Sequence, residues 1–473
     1  MKRTISVVAG VMAAVVAVSA RAEEAPAAPA AEQGVGASAP VEFPVAQAPL
    51  SPAPLVAATT GAGTVAAPSA APAVATSAQA TPDEVYVPIS LTLLPNISTA
   101  GMHTGNVVTN YSLGLLATHA KRVNGLATSL GANWVEAGLS GVQMTVGANV
   151  SRGPVSGAQF AVGANVATQD LVGIQQTAGI NVVRGAMEGA QFGVGANITG
   201  GLMNGAQFSA GANIASAGGV GAQLGVGANI AGSTFRGLQA TAGLNVAQEM
   251  TGLQMSSGVS YARKMDGAQL SIINVGGDID GAQVGIVNVG GRVDGLQLGV
   301  INVARESEGE SVGLLSFVGN GQGNFQLWGG DLAAMNAAVK FGGKHLYTLL
   351  TVGFNPGSDT RRRRYLLGAA FGAHIPMERF FIDMDVMGSS VHDDRLFKDG
   401  DGENILGQLR LVGGWQVARR LALIGGITGN TLVTMHGSDR WEELGIGPEW
   451  KNVSDNGRTT VRVWPGFLLG VQI

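Results

Sequence analysis

The sequence predicts an all-β protein: a parallel β-solenoid of 14–16-residue coils followed by an antiparallel β-meander or barrel. Three observations predict it. A glutamine recurs at a near-constant step, with Gln143, Gln159, Gln175, Gln191, Gln207, Gln223 and Gln239 sixteen residues apart, Gln254 and Gln269 following at fifteen, and Gln283 and Gln297 at fourteen. A fixed short period means one small unit stacked many times. Within each unit, as in GAQFGVGANI, residues alternate with period two, which is the strand signal. After Ala304 that period gives way to longer β-rich runs joined by short hinges and longer polar loops in turn.

The chain opens with Met1, Lys2 and Arg3, an apolar run from Thr4 to Ala20, and the small-residue pattern Ala20-Arg21-Ala22. This is the layout of a secretory signal peptide, with cleavage expected after Ala22. Residues 23–83 are Ala, Pro, Val, Ser and Thr with little else, and ten of the seventeen prolines lie between Pro26 and Pro82. Such a segment has little to bury and proline blocks helix and sheet, so it reads as a disordered linker.

Order is expected to begin near Val85. Residues 84–124 hold an alternating segment, VYVPISLTLLP, and a degenerate first repeat, NYSLGLLATHAKRVNG, which together would cap the exposed edge of the stack. Residues 125–304 carry the repeats proper, with Ala127 in the glutamine slot of the first. Ala190, Phe192 and Val194 fall on one face of their unit, and Gln191, Gly193 and Gly195 on the other. Many units are introduced by an apolar residue, a variable one and a glycine, as in Met187-Glu188-Gly189 and Ile279-Asp280-Gly281, where glycine accepts positive φ at little cost. Each unit closes on an asparagine, from Asn133 to Asn302, with Ser260 as the exception. Asparagine tolerates left-handed backbone, which places it at a corner.

Such alternation also suits a membrane barrel, whose apolar residues face lipid while Gln and Gly face the lumen. Three features favour the solenoid. Every unit reads alike, whereas an up-and-down meander would show a two-unit super-period. The units shorten by single residues, which inside one strand would flip every later side chain to the other face, but which a corner absorbs. Fourteen to sixteen residues is also short for a membrane strand of about 9–11 residues with its turn and loop. The expectation is about twelve coils, nearly 60 Å long at roughly 4.8 Å per rung. Apolar residues would point inward and Gln and Gly outward, with successive glutamine amides bonded in a ladder.

Residues 305–323 are polar and glycine-rich and read as a connector. Residues 324–473 read as an antiparallel barrel-like domain. Their long runs are joined by short hinges such as Pro376-Met377-Glu378 and by longer loops at Gly357–Arg363 and His392–Asn404, the asymmetry of a membrane meander. Trp328, Tyr347, Tyr365, Trp415 and Trp464 lie in or near these runs, as an aromatic girdle requires. A soluble barrel packed on the solenoid's end is the competing reading.

Composition narrows the function classes. Charged residues make up 13% of the chain and the net charge is −4, so no basic excess invites nucleic acid. There are no cysteines, which excludes disulfides, thiolate metal sites and a lipidated N-terminus. The six histidines, His103, His119, His345, His374, His392 and His436, do not pair at metal-ligand spacing. His392-Asp393-Asp394 with Asp399–Asn404 is the one acidic cluster; it lacks the full calcium-loop pattern and reads as a solvated loop. Arg361 to Arg364 could meet anionic lipid phosphate, against the plainer reading of a solvated strand flank. No serine has nucleophile-elbow surroundings, and the glycine patterns are not followed by helices. No catalytic, cofactor-binding or metal-binding residue is therefore assigned.

Units such as GLQLGVINVA and GAQVGIVNVG, with the lead-in NYSLGLLATHAKRVNG, resemble the short surface-repeat proteins (the LA-type repeat) of bacterial envelopes. The resemblance covers about Asn110 to Ala304, and the fourteen-residue units fit best. It implies a surface or outer-membrane location, a C-terminal part resembling the barrel-like tails of some members, and no catalytic motif. Some members resemble lipoproteins, whereas here the lipidation cysteine is missing. The expectation is a non-enzymatic protein of a Gram-negative envelope, exported to the outer membrane or cell surface. Its partners would be the membrane or its lipids, and an envelope polysaccharide or another surface protein. The alternatives are a pore whose barrel strands include the repeats, and a solenoid carbohydrate-active enzyme.

Overall fold

Identical residues stack on identical residues throughout the repeat. Gln159 lies beside Gln175 and Gln175 beside Gln191 in parallel register, as do Asn165, Asn181 and Asn197. The computed structural model describes residues 84–331, 333–356, 363–393, 403–435, 448–455 and 457–473. Within these, the chain forms a parallel β-solenoid of about 13 turns followed by a closed antiparallel eight-stranded barrel. The expected signal peptide and linker lie outside the described residues.

One coil comprises a seven-residue strand such as Met187–Gly193, an apolar corner at Val194-Gly195, a four-residue strand Ala196–Thr199, and a polar corner. Parallel pairing from every unit to the next excludes an up-and-down barrel for the repeats. The first shortening falls where a corner can absorb it: the register slips between Ala231 and Thr234, opposite Ala247 and Glu249.

The glycine before each Ala-Gln or Leu-Gln bends the long strand. Gly205 has φ +139°, and a Cβ there would run into the carbonyl of Gly189 one rung below. Glycine is needed twice over, for its backbone conformation and for the close approach of rungs.

The stack is closed at its start by a short hairpin. The strand Ile89–Leu94 pairs in parallel with Val107–Gly114 on one side and antiparallel with Ile97–Ser98 on the other. At the other end the coil register outlasts the repeat motif. Glu310–Val312 stacks on Leu296–Leu298, and Leu315–Val318 on Ile301–Ala304. The segment expected to be a connector is one more coil, with Ser311 and Ser316 in the glutamine and asparagine slots.

The orientation of the coil is opposite to expectation. Every glutamine in the repeating slot from Gln143 to Gln297 is buried, and so is every asparagine from Asn133 to Asn302 that closes a unit. Phe192 and Val194 are exposed. The asparagines lie within strands, with no positive φ, rather than at corners. The apolar part of the core comes from other columns: the residue two before each bend glycine (Leu171, Met187, Met203, Phe235, Met250) faces the small residue two after each asparagine (Ala167, Val183, Ala215, Ala231, Ala247). The core is thus half aliphatic and half amide.

The barrel runs through strands 322–330, 335–342, 346–355, 364–377, 380–393, 403–418, 421–435 and 459–472, and the last pairs with the first. Its short connections, 343–345, 378–379 and 419–420, share one end with the start of the first strand and the end of the last; the longer ones open at the other. The last solenoid coil meets the short-turn end. Lys344 Nζ donates to Glu308 at 2.7 Å, His345 pairs with Glu310 at 2.7 Å, and Thr348 Oγ1 donates to the Gly313 carbonyl at 2.5 Å.

Candidate functional site: a charge-free wall and a filled barrel

The amide interior is satisfied in two opposed ladders. Gln191 Nε2 donates back to Gln175 Oε1 at 2.8 Å and across the coil to the Ile198 carbonyl at 3.3 Å. Asn181 Nδ2 donates forward to Asn197 Oδ1 at 2.9 Å and to the Phe192 carbonyl at 2.8 Å. Both hydrogens of these two amides are used, which is what burial demands. Because the glutamine ladder donates toward the N-terminus and the asparagine ladder toward the C-terminus, their dipoles oppose each other along the stack. The last coil ends both ladders with a hydroxyl: Ser311 Oγ donates to Gln297 Oε1 at 2.9 Å, and Ser316 Oγ accepts from Asn302 Nδ2 at 3.1 Å. At the first coil, Thr118 Oγ1 donates to Asn133 Oδ1 at 2.7 Å. Two places break the pattern. Ala127 offers nothing to Gln143 Nε2, and Ser260 leaves Asn274 Oδ1 without a donor among the described residues.

With the amides inside, the alternating apolar residues form the outer wall. All thirteen charged residues between Gly141 and Ala304 lie at one corner, in the stretch from three residues after each asparagine to the residue before each bend glycine. Arg152, Arg184, Glu188, Arg236, Glu249 and Arg263 are examples. The opposite corner carries Val146, Val162, Val194, Val226, Ile272, Ile286 and Val300, all exposed. Beside it, Phe192 and Phe208 stack with ring centroids 4.9 Å apart on the same wall. Across eleven rungs at ~4.8 Å and about eight residues at ~3.3 Å, this wall covers roughly 1,400 Å². A soluble monomer's largest apolar patch is about 300–600 Å². The polar corner is laced by ion pairs such as Arg152–Glu136 and Arg263–Glu249. Burial works against the charge of Glu136, but the hydrogen bond from His119 and the nearby Arg152 outweigh it and hold the carboxyl below its ordinary range.

The barrel is likewise apolar outside and polar inside. Met384, Val386, Leu409, Leu411, Ile427 and Leu469 are exposed, while Asp383, Asp385, Arg410 and Lys340, which alternate with such residues, are buried. Inside, Lys340 Nζ donates to Asp383 Oδ2 at 2.6 Å, and His374 Nδ1 lies 2.6 Å from Asp383 Oδ1. Arg410 grips Asp385 with two hydrogen bonds of 2.7 and 2.8 Å, Tyr347 donates to the same carboxylate at 2.7 Å, and the Lys340 ammonium sits 4.0 Å from the Tyr347 ring centre. These side chains bridge the lumen, as eight strands leave little more than side-chain space.

The expected aromatic girdle is partly corrected. Trp328, Tyr347 and Trp464 point into the lumen because each finds a partner there: Arg410 over the Trp328 ring, Asp385 for Tyr347, and Asp331 for the Trp464 indole N–H. Tyr365 and Trp415 face outward. They pair with Phe354 near the loop end and Phe380 near the short-turn end respectively.

The histidines are brought to carboxylates or hydroxyls rather than to each other. His119 bridges Thr104 and Glu136, His345 meets Glu310, His374 meets Asp383, and His392 meets Ser390. His103 is exposed before a 3-10 turn. Among the described residues no group of three metal-ligand side chains converges. The acidic loop 394–402, Arg361, Arg362 and His436 lie outside the described residues. Sequence reasoning missed the charge-free wall. Its signal was present: wherever a repeat unit carries charge, the charge falls in the same stretch and in no other. No protein-family model, curated protein or solved structure matches the chain.

Proposed function

We propose that this protein is a non-enzymatic component of a Gram-negative cell envelope, in which the C-terminal barrel sits in the outer membrane and anchors the solenoid as a rigid scaffold. One observation carries the reading: the barrel has an apolar outside and a charged, hydrogen-bonded inside, the reverse of a water-soluble barrel. Aromatic pairs near both rims fit the two membrane–water interfaces. Bridging of the lumen by Lys340, Asp383, Asp385 and Arg410 favours an anchor over an open channel. Outer-membrane barrels keep their short turns on the periplasmic side. The solenoid meets the short-turn end, so it belongs in the periplasm. The repeat resemblance to envelope surface proteins supports the compartment but not an outward-facing solenoid.

Protease treatment of intact and of outer-membrane-permeabilised cells tests this. Repeat peptides are expected only after permeabilisation, with the barrel band folded and heat-modifiable on gels. Release of repeat peptides from intact cells would reverse the topology. Recovery of the protein in a soluble fraction without detergent would remove the membrane reading.

A further inference from the structure

The solenoid's apolar wall has properties that select one kind of occupant. It holds no charged side chain in five outward columns over eleven rungs; Gln176 and Ser257 are its only non-apolar residues apart from the Tyr261 hydroxyl and the Trp134 indole at its margin. Protein interfaces of comparable size carry polar rims and direct hydrogen bonds, whereas a hydrocarbon-facing surface does not. Backbone hydrogen bonds between rungs continue into the wall's corner. Val194 N donates to Thr177 O at 3.2 Å, Gly211 N to Val194 O at 3.0 Å, and Val226 N to Ser209 O at 3.2 Å. At these positions the corner backbone is paired from rung to rung, which eases the usual bar to irregular β-structure in lipid.

The wall is also continuous with the barrel's outer surface. Phe341 and Thr348 lie on the outward face of their strands, alternating with the inward Lys340 and Tyr347. Phe317, on the outer wall of the last coil, packs edge-on against Phe341 at 5.2 Å, and Leu314 stays exposed beside it.

We infer that the solenoid lies along the membrane, with the Val146–Leu314 wall immersed in the acyl region of the leaflet on the short-turn side and the charged corner turned to water. Resting on the membrane reading of the barrel, this makes the repeat an interfacial β-element, the counterpart of an amphipathic helix lying in the bilayer surface. Its ligand is the phospholipid bilayer itself.

The chain has no cysteine, so single thiols can be placed at will. Val226→Cys puts a label on the apolar corner, Glu188→Cys on the charged corner, and Val386→Cys on the barrel's outer face. All three positions are exposed, so the cores are left intact. Each full-length variant is labelled with a polarity-sensitive fluorophore and reconstituted into phosphatidylcholine–phosphatidylglycerol vesicles, with iodide on both sides or doxyl-phosphatidylcholine in the bilayer. The labels at 226 and 386 should be blue-shifted and quenched by doxyl lipid, and iodide should quench the label at 188 at least about fivefold more than that at 226. Doxyl quenching at 386 with iodide access at 226 equal to that at 188 would overturn the inference and leave the barrel reading intact. Protection at 226 from both quenchers, with a doubled particle mass, would assign the wall to a second copy and also overturn it. Loss of doxyl quenching at 386 would instead remove the membrane barrel.

Discussion

Replacing Gln223 with leucine tests whether the buried amide ladder stabilises the stack. Gln223 donates to Gln207 Oε1 at 2.8 Å and to the Ile230 carbonyl at 3.4 Å, and accepts from Gln239 Nε2 at 2.7 Å. Leucine fits the space but leaves two buried groups unmatched, the Gln207 oxygen and one Gln239 N–H. Each orphan costs about 1–3 kcal/mol, so the loss is about 2–6 kcal/mol. Burying a leucine returns roughly 1.5–3 kcal/mol where it packs fully, which amides above and below prevent. The net destabilisation is about 1–4 kcal/mol, and because coils contact only their neighbours, it should stay local. Amide hydrogen exchange read by mass spectrometry on the full-length protein in detergent should show the coils of Gln207 and Gln239 opening about five- to several-hundred-fold more often, at about 1.4 kcal/mol per tenfold. Distant coils should keep their protection. Unchanged or greater protection around residue 223 would refute the argument and leave the ladder as a device for register alone.

Three further outcomes are expected. Gly205→Ala forces a Cβ into the Gly189 carbonyl at φ +139°, a strain of about 1–3 kcal/mol before any rung displacement, and should expose residues near 189–221 to protease, whereas Gly323→Ala, with open space around it, should not. Ser260→Asn combined with Ser271→Gly should repair the asparagine ladder: Asn274 Oδ1 gains a donor, the Ser271 hydroxyl now 2.6 Å from Ser260 is removed, and exchange protection near 260–274 should rise by about 1–3 kcal/mol, a fall counting against the ladder scheme. Glu136→Gln should lower the thermal midpoint slightly at neutral pH, by no more than about 1 kcal/mol in stability. The folded carboxyl is held below its ordinary value of 4.5, so its contribution is present above that value and lost as pH falls through the depressed one; a midpoint gap that persists at pH 2 would contradict the pairing with Arg152 and His119.

Much of the architecture was legible because stacking is a one-dimensional rule. A residue that pairs with its own equivalent one rung away, as Gln175 does with Gln191, writes the rung length into the sequence as a period. A one-residue deletion without loss of pattern, as between Asn229 and Gln254, demands a corner. The end of the stack was harder to see. Ser311 and Ser316 break the motif yet preserve the register, because a hydroxyl can finish either ladder by donating or by accepting. In the barrel, period-two alternation marked two faces, but Trp328, Tyr347 and Trp464 share strands with outward residues and only a lumen partner shows which way each points.

Sequence alone determined the winding, the rung length and the confinement of charge to one stretch of each unit. It could not decide which face of the coil is inside, since strand alternation is symmetric between its two sides. The tertiary structure decided for the amides. A glutamine or asparagine stacked on its twin at rung spacing spends all its hydrogen bonds along the column and across the narrow coil, which is the condition for burying it. The facing column ranges from Ala240 to Phe192, a change of size that no close-packed interior would accept but that an outer wall tolerates.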